Sequence, residues 1–182
     1  YTIDGSFTQN QLDVIQQALD QYAADTNGCI TFSPRGLESN YISIVNYDDG
    51  CWSYVGMQGG KQELNYPNWC INQYGSVLHE MLHALGFFHE QSRYDRDDYV
   101  IIHYENIQAG AEGNFDKYSQ LYVSGFGYEY DYGSVMHYGR TAFSTNGLDT
   151  IETIDPAYQD VIGQRDGFSA TDLGKLMNMY NC

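Results

Sequence analysis

The stretch His79-Glu80-Met81-Leu82-His83-Ala84-Leu85-Gly86-Phe87-Phe88-His89 decides how this chain is read. Val77, Leu78, Met81, Leu82 and Leu85 recur at helical spacing, which predicts a helix over Gly75–Leu85 with Gly86 as its terminator. His79 and His83, four residues apart, are neighbours on one face of such a helix and can share one metal ion. Glu80 follows His79 and is rotated from it by about 100°, so it flanks the ion without having to ligate it. Gly86 can take a positive φ and end the helix sharply, after which the chain can return His89 as a third nitrogen. Three protein ligands with one open position is the catalytic zinc arrangement, whereas structural zinc sites are closed by four. The bland alternative is a buried helix whose histidines are satisfied by hydrogen bonds. Against it, three of the five histidines fall in one register with a carboxylate and a helix-ending glycine. At this composition the full pattern arises by chance in about one chain in 10⁵.

Around this motif, the chain has 182 residues, a length that suits one domain or two lobes sharing a core. A hydrophobic fraction of 42 % with 18 % charged residues is enough to build that core and argues against disorder. Lys and Arg total 8 against 24 Asp and Glu, a net charge of −16. Eight scattered cations cannot make the basic patch a nucleic-acid binder needs, and the same charge opposes anionic membrane surfaces. No apolar run is long enough for a membrane-spanning helix. The opening Tyr1-Thr2-Ile3-Asp4-Gly5-Ser6 lacks the charged and apolar regions of a signal peptide, so any targeting segment of a secreted protein is expected to be already gone.

Thr8 to Asn27 reads as an amphipathic helix opened by a Thr8/Gln11 capping box, with Leu12, Ile15, Leu19, Tyr22 and Ala23 facing inward. Strand-like runs follow at Cys29–Ser33, Tyr41–Asn46 and Cys51–Gly56, with a further strand at Lys61–Tyr66. Asp49-Gly50 lies between two of them and signals a hairpin. A last helix is expected at Thr171–Tyr180, capped by Ser169 and Asp172, with Leu173, Leu176, Met177 and Tyr180 inward. From Phe87 to Ser169 the pattern is irregular. Cys29, Cys51, Cys70 and Cys182 allow three pairings, and no C-x-x-C pair suggests a sulfur-rich zinc site. Cys51–Cys70 would close a local loop and Cys29–Cys182 would tie the C-terminus to the N-terminal half, which is the preferred pairing. Loop-closure entropy gives about 3 and about 5 kcal/mol for the two. Four buried free thiols in a reducing compartment is the alternative.

The pattern H-E-x-x-H-x-x-G-x-x-H is the signature of the metzincin zinc endopeptidases. Its continuation His89-Glu90-Gln91-Ser92-Arg93-Tyr94-Asp95-Arg96-Asp97, the segment Ser134-Val135-Met136-His137-Tyr138 and the segment Cys51-Trp52-Ser53-Tyr54-Val55-Gly56 resemble the astacin family within that clan, over nearly the whole of Tyr1–Cys182. The resemblance implies an α+β, two-lobed metzincin zinc-protease fold in a single astacin-like catalytic domain, residues 1–182. The N-terminal lobe, about 1–89, would hold a twisted, mostly antiparallel or mixed sheet and two long helices. The irregular C-terminal lobe, about 90–182, would end in a helix, with the active-site cleft between the lobes. It implies a secreted zinc endopeptidase with one catalytic Zn²⁺ on His79, His83 and His89. Glu80 would be the general base and acid, activating the zinc-bound water. Met136 would lie beneath the metal. Tyr138 would be an extra phenolic ligand that swings away and steadies the oxyanion. The cysteine placement matches the family's two disulfides, Cys29–Cys182 and Cys51–Cys70. An extended protein or peptide substrate would pair with an edge strand near Lys61–Tyr66. In that family the glutamate matching Glu90 receives the amino terminus of the mature enzyme. This chain begins later than mature members do, which leaves the partner of Glu90 open.

Other residues carry blander expectations. His103 and His137 read as structural, and Arg93, Asp95, Arg96 and Asp97 as a salt-bridged loop. Arg140 with Thr141–Asp155 could line the pocket after the scissile bond. Two alternatives stand beside the main reading: a thermolysin-type peptidase with Glu105 as third ligand, and an inactive zinc-stabilised binding module.

Overall fold

The computed structural model describes all 182 residues, which divide into two compact units. The first comprises residues 1–87 with 165–168 and 176–182, and the second 88–164 with 169–175.

In the first unit, helix α1 (Gln9–Asp25) starts at the expected capping box: Thr8 Oγ1 accepts from the Gln11 N–H, and Gln11 Oε1 accepts from the Thr8 N–H at 2.9 Å. Its inward face buries Ile15, Ala18, Leu19 and Tyr22. The Tyr22 hydroxyl donates to the Leu78 carbonyl at 2.6 Å and so pins α1 to helix α3 (Tyr74–Ala84). Tyr66, fully buried, does the same from the sheet side by donating to the Val77 carbonyl at 2.7 Å. Val77, Leu78, Met81 and Leu82 of α3 are fully buried. At the start of α3 the Gly75 N–H donates to the Arg165 carbonyl at 2.9 Å, and a Cβ at residue 75 would stand 2.3 Å from that oxygen. No side chain fits so close an approach of two backbones.

The sheet of this unit is mixed, in the order β1 (Thr2–Ile3), β2 (Tyr41–Val45), β4 (Lys61–Asn65), β3 (Trp52–Ser53). β1 and β4 both run parallel to β2, and only β3 is antiparallel. Three expectations are corrected here. The hairpin across Asp49-Gly50 does not form, because β2 and β3 are not neighbours. The loop between them is closed by Asn65 instead. Its side chain accepts from the Tyr47 N–H at 2.6 Å and donates to the Tyr47 and Gly50 carbonyls at 3.0 and 2.6 Å. That anchorage carries the chain past β4 to its far side. Second, Lys61–Tyr66 is not the edge, since β4 lies between β2 and β3. Third, Cys29–Ser33 forms no strand; its backbone is served by the Tyr1 amino group, which donates to the Ser33 carbonyl at 2.8 Å, and by Thr26 Oγ1, which accepts from the Ile30 N–H at 3.0 Å. Both preferred disulfides are present, Cys29–Cys182 and Cys51–Cys70. A short helix α2 (Asn68–Ile71) carries Cys70.

The second unit is mostly loops, with a two-stranded antiparallel sheet of β5 (Val100–Ile102) and β6 (Ile151–Thr153). Val100, Ile107, Phe115, Tyr130, Ile151 and Ile162 form its core, and tyrosine rings cover it: Tyr99 stacks on Tyr130 at 4.6 Å and Tyr132 on Tyr158 at 4.5 Å. Helix α4 (Ala170–Tyr180) opens with the expected Ser169/Asp172 cap, each side chain accepting from the other's N–H at 2.9–3.0 Å. Its inward face differs from the expected stripe. Leu176 is buried, but Tyr180 is exposed, while Asp172 and Lys175 are buried at 1 % and 3 % exposure. Hydrophobic spacing could not foresee this, because polar partners hold those two inside. No helix is long and apolar enough to cross a membrane.

Candidate metal centre

Helix α3 places His79 and His83 one turn apart, with ring centroids 4.7 Å from each other. Both are buried. The helix ends as a Schellman motif: the Gly86 N–H donates to the His83 carbonyl at 2.8 Å and the Phe87 N–H to the Leu82 carbonyl at 3.0 Å. Gly86 has φ +109°, a conformation that strains any residue with a Cβ. The sharp exit returns the chain, and the ligand nitrogens of His79, His83 and His89 lie within 4.8 Å of one another. These three could hold one metal ion.

The surrounding chemistry fits zinc. His83 Nδ1 sits 2.7 Å from the Phe87 carbonyl, which can only accept. The ring therefore carries its proton on Nδ1 and keeps the lone pair on Nε2, the outer-shell arrangement of metal-binding imidazoles. Burial pushes His83 down to about 4, so the ring is neutral at pH 7. Glu80, next to His79 in the chain, is 6 % exposed, and its Oε2 has no hydrogen-bond partner. Burial pushes that carboxyl up to about 8, partly offset by the positive charge of Arg165. A buried carboxylate oxygen without a partner is costly unless a water or substrate proton meets it.

Tyr138 lies beside the third histidine, its ring centroid 4.3 Å from that of His89 and 5.8 and 5.7 Å from those of Phe115 and Phe143. Met136 is buried in the turn Ser134–Tyr138, and its carbonyl accepts from the Glu90 N–H at 3.0 Å. His137 is structural: Nε2 meets the Tyr130 hydroxyl and Nδ1 the Tyr138 carbonyl, both at 2.7 Å. Glu105 is exposed, pairs with His103 at 3.3 Å and is not among the clustered ligands, which removes the support for a glutamate as third ligand. Arg140 is committed to Asp149 and Asp160 at 2.7 Å, so its guanidinium knits that loop together. The expected ion-paired loop is present, with Arg93 on Asp95 and Arg96 on Asp97 at 2.7 Å.

Three residues bearing on the site escaped the sequence. Gln91, fully buried, accepts from the Tyr138 N–H at 3.0 Å. The Asp172 carboxylate is more than a helix cap, since it also accepts from Ser134 Oγ and from the Val135 N–H at 2.9 Å. Lys175 is the buried partner of Glu90. Their only sequence signal is adjacency to the motif or the cap, and their partners lie 37 to 85 residues away.

The profile of the Astacin peptidase family matches residues 1–181. The chain belongs to the astacin family. It is 49 % identical over 183 residues to zinc metalloproteinase nas-13 of Caenorhabditis elegans, covering all of this chain and 39 % of that protein. It is 48 % identical over 183 residues to meprin A subunit beta of Mus musculus, covering all of this chain and 25 % of that one. The chain thus spans well under half the length of these curated relatives. Among solved structures it matches high choriolytic enzyme 1, a hatching enzyme zinc-protease from Oryzias latipes, with a TM-score of 0.92 and 40 % identity over all of this chain and 88 % of that one. The α+β zinc-protease fold expected from the sequence is therefore the fold of this chain.

Proposed function

We propose that residues 1–182 form the catalytic domain of a secreted zinc endopeptidase that cuts internal peptide bonds of protein substrates. The observation that carries this reading is the convergence of His79, His83 and His89, together with a buried Glu80 carboxylate oxygen that has no partner. The three imidazoles would hold one Zn²⁺. Zinc, when bound, supplies Lewis acidity, which polarises a carbonyl and brings the pKa of a coordinated water down to about 7.

The charge of a bound zinc would offset the rise that burial gives the Glu80 carboxyl and keep it ionised. Glu80 then takes the proton of the attacking water as general base and delivers it to the leaving amine as general acid. Its burial strengthens both roles by excluding competing solvent. The Tyr138 hydroxyl donates to the oxyanion that forms at the scissile carbonyl, and its place beside His89 supports that role. Met136 supports the His89 side of the site as a buried apolar residue in the turn that leads to Tyr138. The substrate backbone lies extended along β3, the end strand of the sheet, whose outer N–H and C=O groups can extend the ladder. Two disulfides and no free cysteine suit an oxidising, extracellular compartment.

The test is a casein digest with the zinc-loaded wild type and the Glu80→Ala variant, each with and without chelator. The expected result is one zinc per chain in both proteins, cleavage by wild type that the chelator stops, and none by the variant. Undiminished cleavage by Glu80→Ala would overturn the assignment of the base. A wild type that binds zinc and cuts nothing would favour a binding module instead.

A further inference from the structure

Next to His89 in the chain lies a buried ion pair that the chemistry above does not use. Lys175 is 3 % exposed, and its ammonium donates to both oxygens of Glu90, at 2.8 and 2.7 Å. Glu90 Oε1 also accepts from Arg93 Nη1 at 3.2 Å and from the Asp131 N–H at 3.0 Å. Arg93 cannot replace Lys175, because its Nε and Nη2 are held by Asp95 at 2.8 and 2.7 Å. Glu90 directly follows His89, and its N–H is bound to the Met136 carbonyl. Gln91 holds the Tyr138 N–H. Asp172, one turn before Lys175 on α4, holds Ser134 and Val135 in the same turn. The contacts close a circuit from Glu90 through Lys175, α4, Asp172 and the Ser134–Tyr138 turn back to Glu90. His89 itself follows the end of α3 and caps the 3₁₀ turn Glu90–Ser92, its carbonyl accepting from the Ser92 N–H at 3.1 Å, so its backbone is continuous with the turn that Lys175 holds through Glu90.

We propose that Lys175 is a positioning residue for the third metal ligand: its ammonium clamps Glu90, and through Glu90 it sets the place of the His89 imidazole. It touches neither metal nor substrate. Without the ammonium, Glu90 Oε2 loses its partner and the carboxylate keeps only the 3.2 Å contact from Arg93 Nη1 and the Asp131 N–H, both on Oε1; a buried anion so under-paired moves toward water and carries the adjoining His89 with it. Loss of outer-shell support of this kind lowers metal affinity by about 10- to 100-fold.

The inference rests on the zinc reading, and the experiment separates the two. Zinc affinity is measured by competition with a chromophoric chelator for wild type, Lys175→Met, Lys175→Arg and the double variant Lys175→Met/Glu90→Gln. The visible spectrum of each cobalt(II)-substituted protein reports ligand geometry, and melting of the metal-free forms reports folding. Lys175→Met is expected to bind zinc at least ~10-fold more weakly with an altered cobalt spectrum. Lys175→Arg, which keeps the charge, is expected to stay close to wild type. The double variant leaves no under-paired buried carboxylate, so it folds even where the single variant fails, and with the clamp on residue 90 gone it too is expected to bind zinc at least ~10-fold more weakly. Failure of wild type to bind zinc would sink the zinc reading. Wild-type binding matched within about twofold by either folded protein lacking the Lys175 ammonium, with an unchanged cobalt spectrum, would sink the positioning role alone.

Discussion

Tyr138 is one of 18 tyrosines, and nothing in its side chain distinguishes it from the others. What does so is its setting: a half-buried ring packed on His89, with its backbone N–H held by Gln91. If its hydroxyl steadies the oxyanion, Tyr138→Phe lowers kcat by roughly 10²-fold while zinc content and KM stay near wild type. Steady-state kinetics with metal analysis checks this, and loss of zinc from the variant would contradict the role. Glu90 makes the complementary point. The resemblance left its partner open, and a contact that the chain itself supplies comes from Lys175, 85 residues away. No reading of neighbours in the chain reaches that far, whereas the run from His79 to His89 is local and legible at once.

Among the helices and strands, a single backbone angle ends α3. Gly86→Ala forces a Cβ into φ +109° and is expected to cost about 1–3 kcal/mol of stability and to weaken zinc binding, because His89 is returned by that turn. Chemical denaturation and chelator competition measure the two effects. The β5–β6 pair offers a pH test. His103 Nε2 meets Glu152 at 2.8 Å, and this bond, offset in part by desolvation and aided by Glu105, raises the imidazole above its ordinary pKa. A pKa raised on folding adds stability that is full below the unfolded value of about 6.5 and fades as pH rises through the folded value. Wild type should therefore out-melt His103→Gln by a larger margin at about pH 5.5 than at about pH 8.5, and an equal margin at both would refute the coupling. The three longer helices and two of their caps were readable, since Thr8/Gln11 and Ser169/Asp172 act within one turn; the four-residue α2, with no side-chain cap, was not. Strand partners were not. Asp49-Gly50 looks like a hairpin, but the side chain of Asn65 decides the route of that loop from outside it.

At the scale of the whole chain, Cys29–Cys182 joins points 153 residues apart and fastens the last residue to the segment just after α1. Replacing both cysteines by alanine is expected to lower unfolding stability by about 2–5 kcal/mol. That loss should exceed the one from opening Cys51–Cys70, with its separation of 19, because the longer loop restricts the unfolded chain more. Urea denaturation of the two variants side by side checks the order. The net charge of −16 argued against nucleic-acid and anionic-membrane partners without indicating a substrate. The register of the three histidines, the three longer helices and the family could be read from the residues alone, because they depend on spacings of a few positions. The parallel order of the sheet, its outermost strand and the burial of Asp172 and Lys175 emerged only once the chain was folded. A buried charge or a strand is stabilised by whatever partner folding brings to it, and that partner is set by packing rather than by position along the chain.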